Sequence, residues 1–294
     1  MGEAFHLRGV RKAYKGFTLD IRELALERGY VMGLVGQNGA GKSTTIKILM
    51  NLIYPDAGDI EVLGLRQPAH QMEIKRRVGY VSEEPSFYAE MSVGWVAGLV
   101  RRYYPTWDED LYHEYLRKFA LDPHAKVKEL SKGMKVKLAL TLALAHRPEL
   151  LILDEPTSGI DPIVRHELLE EIAGIIRDER RTVLLSSHIT QDIEQVADYI
   201  AVIEQGKVVE NTDKESLFDR WRKVTGTIGT PGEAGLRIAS MFREFKREGG
   251  SFVGVTDSFS DEWLNRLKAK GVTNIKTMNV GLDEILVSIV RKGD

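Results

Sequence analysis

Eight consecutive residues, Gly36-Gln37-Asn38-Gly39-Ala40-Gly41-Lys42-Ser43, constrain this chain more than any other feature. They fit the pattern GxxxxGK[ST], and they lie between an apolar run at 30–35 and a run of helical character at 44–52. A strand that turns through glycines into a helix aims free backbone amides and the positive helix end at one point. Gly36, Asn38, Gly39, Ala40, Gly41 and Thr44 therefore read as a cradle for phosphate oxygens. Lys42 is placed to reach the β- and γ-phosphates of a nucleotide, and Ser43 to bind magnesium.

Two further apolar runs, 150–153 and 182–185, also end at polar junctions. All three are apolar at nearly every position, which suits strands of a parallel sheet covered on both faces. Ligands then gather at the carboxyl ends of those strands. The stretch 91–145, with Trp95, Leu99, Leu111, Tyr115 and Leu116 on apolar faces, reads as an inserted helical subdomain. Residues 5–10 and 17–26 alternate apolar and polar positions, as in a small antiparallel sheet, and 200–203 with 207–210 flank Gln205-Gly206 as a hairpin.

Beyond Lys214 the pattern changes. Strands are expected at 224–228, 252–256 and 272–278, helices near 235–247 and 261–270, and a last helix from Leu282; 226–232 is turn-rich. The expected fold class is α/β: a P-loop core with an antiparallel β subdomain and a helical subdomain, then a small C-terminal α/β domain. The division falls at 1–214 and 215–294, consistent with single cores that stop growing at about 250–300 residues.

Composition narrows the function classes. With 41 basic and 43 acidic residues the formal charge is -2, so no global field favours nucleic acid or an anionic membrane. The absence of cysteine excludes disulfides, thiolate metal sites and a cysteine nucleophile. Met1 to His6 lack an apolar signal core, and His6 stands where a myristoylation motif needs Ser or Thr, so export is not expected. The longest apolar runs, such as 138–145, fall far short of the roughly 18 residues of a spanning helix, so any membrane role must come through a partner.

The run at 150–153 leads into Asp154-Glu155, which fits a Walker B segment. Asp154 supplies a hard oxygen for the magnesium hydration shell, and Glu155 is placed to polarise the attacking water as general base. Leu130-Ser131-Lys132-Gly133-Met134, about twenty residues earlier, resembles the LSGGQ signature of ABC ATPases. Ser131 suits a helix N-cap, and Gly133 lets backbone approach a phosphate. Over about residues 5–213 the chain resembles the ATPase component of an ABC transporter, most like those of small bacterial exporters with a separate permease.

That resemblance implies ATP and magnesium as ligands, and ATP hydrolysis. It also implies a second nucleotide-binding subunit, identical or different, whose signature helix closes over the bound ATP. A membrane permease is the other implied partner, which places the chain in the cytoplasm on the inner face of the cell membrane. Ser158-Gly159-Ile160-Asp161 resembles the D-loop, His188 the switch histidine at the γ-phosphate, and Tyr14 the aromatic that stacks on adenine; Tyr14 is otherwise an amphipathic core residue. Glu83 stands where the family has the Q-loop glutamine, and its carboxylate is a further candidate for the metal. Lys132 and Met134 depart from the signature; Lys132 either adds charge near the γ-phosphate or points to solvent.

Other classes fit less well. The basic clusters at 126–137 and 8–15 are not interleaved with aromatics, so nucleic acid is not expected as a partner. A soluble ABC-type ATPase that remodels nucleic acid or ribosomes usually has a long coiled-coil insertion or two cassettes, and neither is present. Glu155 and His188 argue against a sensor without turnover, and no Asn-Lys-x-Asp motif specifies guanine.

Overall fold

The computed structural model describes residues 2–176, 181–228 and 237–290. The chain divides into two compact units, Met1–Asn211 and Thr212–Asp294.

The first unit opens with two long strands, β1 (Glu3–Tyr14) and β2 (Phe17–Glu27). The short β3 (Val31–Val35) then runs into α1 (Lys42–Leu49). Next come β4 (Ala57–Val62), β5 (Leu65–Arg66), α2 (Gln71–Arg77) and β6 (Val78–Val81). The helical insertion holds α3 (Val93–Arg101), α4 (Glu109–Lys118) and α5 (Lys132–Leu144). After it follow β7 (Leu150–Asp154), α6 (Pro162–Ile176), β8 (Thr182–Ser187), α7 (Thr190–Val196), β9 (Tyr199–Glu204) and β10 (Lys207–Asp213).

Six strands form the central sheet in the order β10-β9-β3-β8-β7-β6, with β9, β3, β8, β7 and β6 mutually parallel. Every residue of β3, β7 and β8 is buried, as their continuous apolar runs require. A second, antiparallel sheet has the order β2-β1-β4-β5. Its inward residues Leu7, Leu19, Ile21 and Leu24 join Met32, Leu34 and Ile46 in one core that backs the turn between β3 and α1. Each such side chain contributes about 1.5–3 kcal/mol by leaving water.

The helices start where side chains can satisfy their free amides. Ser92 accepts from Trp95 N at 3.2 Å, Asp108 from Leu111 N at 2.9 Å, and Ser131 from Met134 N at 3.3 Å, which begin α3, α4 and α5. Gly206, at the β9–β10 turn, has φ +80°, and a Cβ there would stand 2.0 Å from the Thr18 carbonyl oxygen. Its amide donates to Ala40 O at 2.9 Å and its carbonyl accepts from Asp20 N at 2.7 Å, so this turn clasps the glycine-rich loop to the antiparallel sheet.

Within the second unit α8 (Lys214–Arg220) precedes β11 (Arg222–Ile228), β12 (Glu244–Glu248), β13 (Ser251–Thr256) and β14 (Val272–Asn279), which form a sheet of order β12-β13-β11-β14. A short helical turn at 237–239 and the helices Asp261–Ala269 and Leu282–Val290 also belong to it. Val224, Phe252, Trp263 and Leu267 share its core.

The structure amends three expectations. The segment 200–203 is a parallel strand beside β3 as well as one arm of a hairpin. β4, β5 and β6 were not foreseen. The helix expected near 235–247 is corrected in part: 237–239 is helical, but 244–248 is β12, paired antiparallel with β13 through Glu244↔Val255 to Glu248↔Ser251. Glu244, Lys246 and Arg247 favour a helix locally, but Gly249-Gly250 allow a tight reversal, and Phe245 packs into the core of this unit. Residues 235–236 and 229–232 of the expected helix and turn lie outside the described residues.

Glu149, at the mouth of β7, ties the sheet to its surroundings. Its carboxylate accepts from Arg77 Nη2 at 2.8 Å and pairs with Arg28 at 3.1 Å. The Arg77 hydrogen bond holds its pKa below the ordinary 4.5. A lowered folded-state pKa makes the contribution full above pH 4.5 and lost as pH falls through the folded value. Because the carboxylate is 38% exposed, the contribution is discounted to about 0.5–1 kcal/mol. Glu149→Gln is expected to lower the unfolding free energy from urea melts at pH 7 by that amount, with the difference from the parent vanishing in melts run progressively below pH 4.5.

Candidate functional site

The glycine-rich loop leaves β3 at Val35 and enters α1 at Lys42, with Gly39 and Gly41 at φ +84° and +116°. These left-handed conformations suit glycine, and at Gly41 a Cβ would also press to 2.8 Å from the Leu19 side chain. A cavity of about 370 Å³ opens over this loop, lined by Phe17, Gln37, Asn38, Gly39, Gly41, Lys42, Ser43, Thr44, Glu83 and Glu155. Gly36 and Ala40 lie in the loop outside this lining: the Gly36 carbonyl accepts from Lys42 Nζ at 2.7 Å, and Ala40 borders an adjoining cavity of about 520 Å³.

Lys42 is 5% exposed. Its ammonium also donates to Gln37 O at 3.3 Å and lies 3.2 Å from Glu155 Oε1. A buried charge is tolerable only when paired, and Glu155 supplies the partner. The other carboxylate oxygen of Glu155, Oε2, accepts from the backbone amide of His188 at 3.2 Å and meets His188 Nδ1 at 2.6 Å. One carboxylate thus spans from the helix after β3 to the carboxyl end of β8.

Glu155 takes φ +49°, a left-handed conformation that costs a non-glycine residue about 1–3 kcal/mol. Three bonds hold it there. Its amide donates to Ser186 O at 3.2 Å and to Ser186 Oγ at 2.9 Å, and its carbonyl accepts from Ser158 N at 3.1 Å. Asp154 is buried beside it, accepting from Ser186 Oγ at 2.7 Å and from Ser43 Oγ at 3.2 Å. Burial pushes the Asp154 carboxyl up from the usual range, against these two hydrogen bonds. Among the described residues no group of three acidic or histidine side chains gathers to hold a metal ion unaided.

The family described as ABC transporter matches residues 19–158. The chain is 30% identical to the ABC transporter ATP-binding protein YtrB of Bacillus subtilis (strain 168), over 96% of each chain. It is 36% identical to the bacitracin transport ATP-binding protein BcrA of Bacillus licheniformis, over 70% of this chain and 68% of that one. A solved ATP-binding subunit of an ABC transporter superposes with a TM-score of 0.64 at 28% identity, covering 73% of this chain and 91% of that one. The chain belongs to the ABC transporter ATP-binding proteins. As an ABC ATPase it binds and hydrolyses ATP, and its fold is the P-loop α/β fold of that family with the antiparallel and helical subdomains the sequence implied.

The segment expected to be the signature stands apart from the cavity over the glycine-rich loop. Ser131 caps α5, and Gly133 is buried where a Cβ would come within 2.9 Å of Val164; neither lines the cavity. Lys132 is exposed, its Nζ beside Gly159 in the segment expected to be the D-loop. Glu83, in contrast, borders the same cavity as Lys42 and Ser43.

Tyr14 is 42% exposed and outside the lining, but its ring stacks on Phe17 at 6.3 Å. Phe17 lines both cavities and was not singled out from the sequence. The signal was there: Tyr14 and Phe17 bracket a two-residue turn, and residues paired across a hairpin present side chains on one face. Ser186 was missed as well, since an isolated serine at the end of a buried strand carries no spacing pattern. If adenine is read by the Tyr14–Phe17 pair, each single alanine variant is expected to weaken ATP binding about 5- to 10-fold, and the double variant by less than the product. Titration with a fluorescent ATP analogue checks this; strictly multiplicative losses would separate the two rings.

Proposed function

We propose that this ATPase is one of two facing cassettes that power a separate membrane permease from its cytoplasmic side. What carries the reading is the separation just described: the P-loop and Glu155 converge on one cavity, with His188 bonded to Glu155 behind it, whereas Ser131 and Gly133 do not line it. A second subunit is the natural source of the missing signature helix, whose N-terminal amides offer partial positive charge to the γ-phosphate. The cassette occupies 1–214 and an accessory α/β domain 215–294. The likeness to YtrB, an ABC transporter ATP-binding protein, and to BcrA, a bacitracin transport ATP-binding protein, supports a role in transport.

The loop amides of Asn38, Gly39, Gly41, Ser43 and Thr44 grip the phosphates, and the Tyr14–Phe17 face takes the base. Lys42 turns from Glu155 to the β- and γ-phosphates, which frees the Glu155 carboxylate. Glu155 then takes a proton from water as the water oxygen bonds to the γ-phosphorus. The bond from that phosphorus to the bridging oxygen breaks, and ADP leaves. His188 orients Glu155 and contacts the γ-phosphate. The oxygens of Ser43 and Asp154, 3.2 Å apart, suit a hard cation, and Glu83 borders the same space. Magnesium held there would neutralise charge that develops on the phosphates.

For the permease, a groove of about 350 Å³ lies between the helical insertion and the segment after β6, with Tyr80, Pro85, Phe87, Tyr104 and His146 on its walls. Burial lowers the His146 pKa to about 4, so the groove presents it as a neutral, apolar-stacked ring against Tyr104 at 3.9 Å. An amphipathic helix of the permease fits such a wall.

Glu155→Gln is expected to keep ATP binding, to lose turnover by at least about 100-fold, and to accumulate as an ATP-bound dimer. Phosphate release and light scattering after size exclusion check both halves. Turnover at the parent rate would remove Glu155 from the chemistry, and a monomer at saturating ATP would remove the facing-cassette arrangement.

A further inference from the structure

We propose that Asp192 is a positioning residue for hydrolysis, which fastens the turn after Glu155, the helix after the D-loop and the helix after His188 into one rigid piece. This rests on the reading of Glu155 as general base and His188 as its partner.

Asp192 lies in the first turn of α7, two residues into the helix that follows His188, and is 1% exposed. Its Oδ2 accepts from Thr157 Oγ1 at 2.7 Å, and its Oδ1 accepts from Arg165 Nε at 2.7 Å. Thr157 is 2% exposed and sits two residues beyond Glu155. Arg165 belongs to the first turn of α6, and its amide bonds back to Asp161 O at 2.9 Å, at the end of the D-loop. A single buried carboxylate on α7 therefore reaches back 35 residues to the turn after Glu155 and 27 residues to the first turn of α6, and each of these segments carries a residue of the site or leads directly from one.

The need for such a clamp follows from two features. The Glu155 backbone is held at φ +49°, a conformation that persists only where the surroundings over-determine it. The 2.6 Å contact from Glu155 to His188 lies just beyond the paired ends of β7 and β8; the Asp154↔Ser186 pairing and the Glu155 amide bonds to Ser186 hold the strand ends, and the turn through Thr157 runs on past that pairing. Ser186 restrains the Glu155 amide from one side, and Thr157, held by Asp192, restrains the same turn from the other. A misplacement of about 1 Å in such a pair costs about 100-fold in rate even when binding is intact.

A buried ion pair can serve stability alone, so the test separates the two. In the full chain, Thr157→Val and Asp192→Asn are assayed for ATPase kcat and KM, ATP affinity and thermal midpoint, with Thr157→Ser as the conservative rescue and Glu155→Gln alongside. The expected result is a kcat about 10- to 100-fold lower in Thr157→Val and Asp192→Asn, measured well below the thermal midpoint, with KM and ATP affinity within about 2-fold and kcat restored in Thr157→Ser. Should Asp192→Asn fail to fold, Thr157→Val decides alone. Full kcat with a lowered thermal midpoint overturns the positioning role, as does a loss of ATP affinity in step with kcat. If Glu155→Gln keeps turnover, the underlying reading fails instead, whatever Asp192 does.

Discussion

A buried ammonium against a buried carboxylate, Lys42 Nζ to Glu155 Oε1 at 3.2 Å, is the interaction around which the site is built. Neither charge could sit at about 5% exposure without the other, because removal of one partner from such a pair costs about 3–5 kcal/mol. The pair also places the ends of two strands: Lys42 begins the helix after β3, and Glu155 follows β7, with β8 between them in the sheet. In the proposed mechanism a triphosphate that enters the loop offers Lys42 a stronger partner and leaves the carboxylate available for water. Substrate binding and activation of the base are then one exchange of ionic partners.

That exchange demands a rigid frame, and the parallel sheet supplies it. β3, β7 and β8 are buried along their whole length, so their carboxyl ends are fixed by packing on both faces. The polar residues at those ends are correspondingly costly to place, and each is bonded: Ser186 to Asp154 and Glu155, Ser43 to Asp154, Thr157 to Asp192. Gly206 performs the same task for the loop from the opposite side, by holding Ala40 and Asp20 through its own amide and carbonyl.

Much of this was legible in the sequence, for physical reasons that differ from one element to the next. The glycine-lysine-serine spacing is dictated by phosphate geometry, so the strand, turn and helix around Lys42 could be read directly. The continuous apolar runs at 150–153 and 182–185 betrayed strands covered on both faces. β12 was misread because Glu244 to Glu248 are charged residues of fair helix propensity, and only pairing with β13 makes them a strand. β4 and β6 are short and each contains a glycine, Gly58 and Gly79, which hides their period. Ser186 and Asp192 are hidden because their partners lie far away in sequence or carry no motif, whereas Phe17 is legible from its hairpin pairing with Tyr14. Contacts such as Thr157 to Asp192, 35 residues apart, exist only once the sheet has formed.

The central claim is that the loop ending in Lys42 grips the triphosphate. Its most direct test is the equilibrium affinity for ATP of Lys42→Ala beside the parent, with circular dichroism to verify the fold. Loss of charge-assisted bonds to phosphate is expected to weaken binding by about 100-fold, about 2.7 kcal/mol, while the fold persists. Unchanged affinity in a folded Lys42→Ala protein would contradict the account.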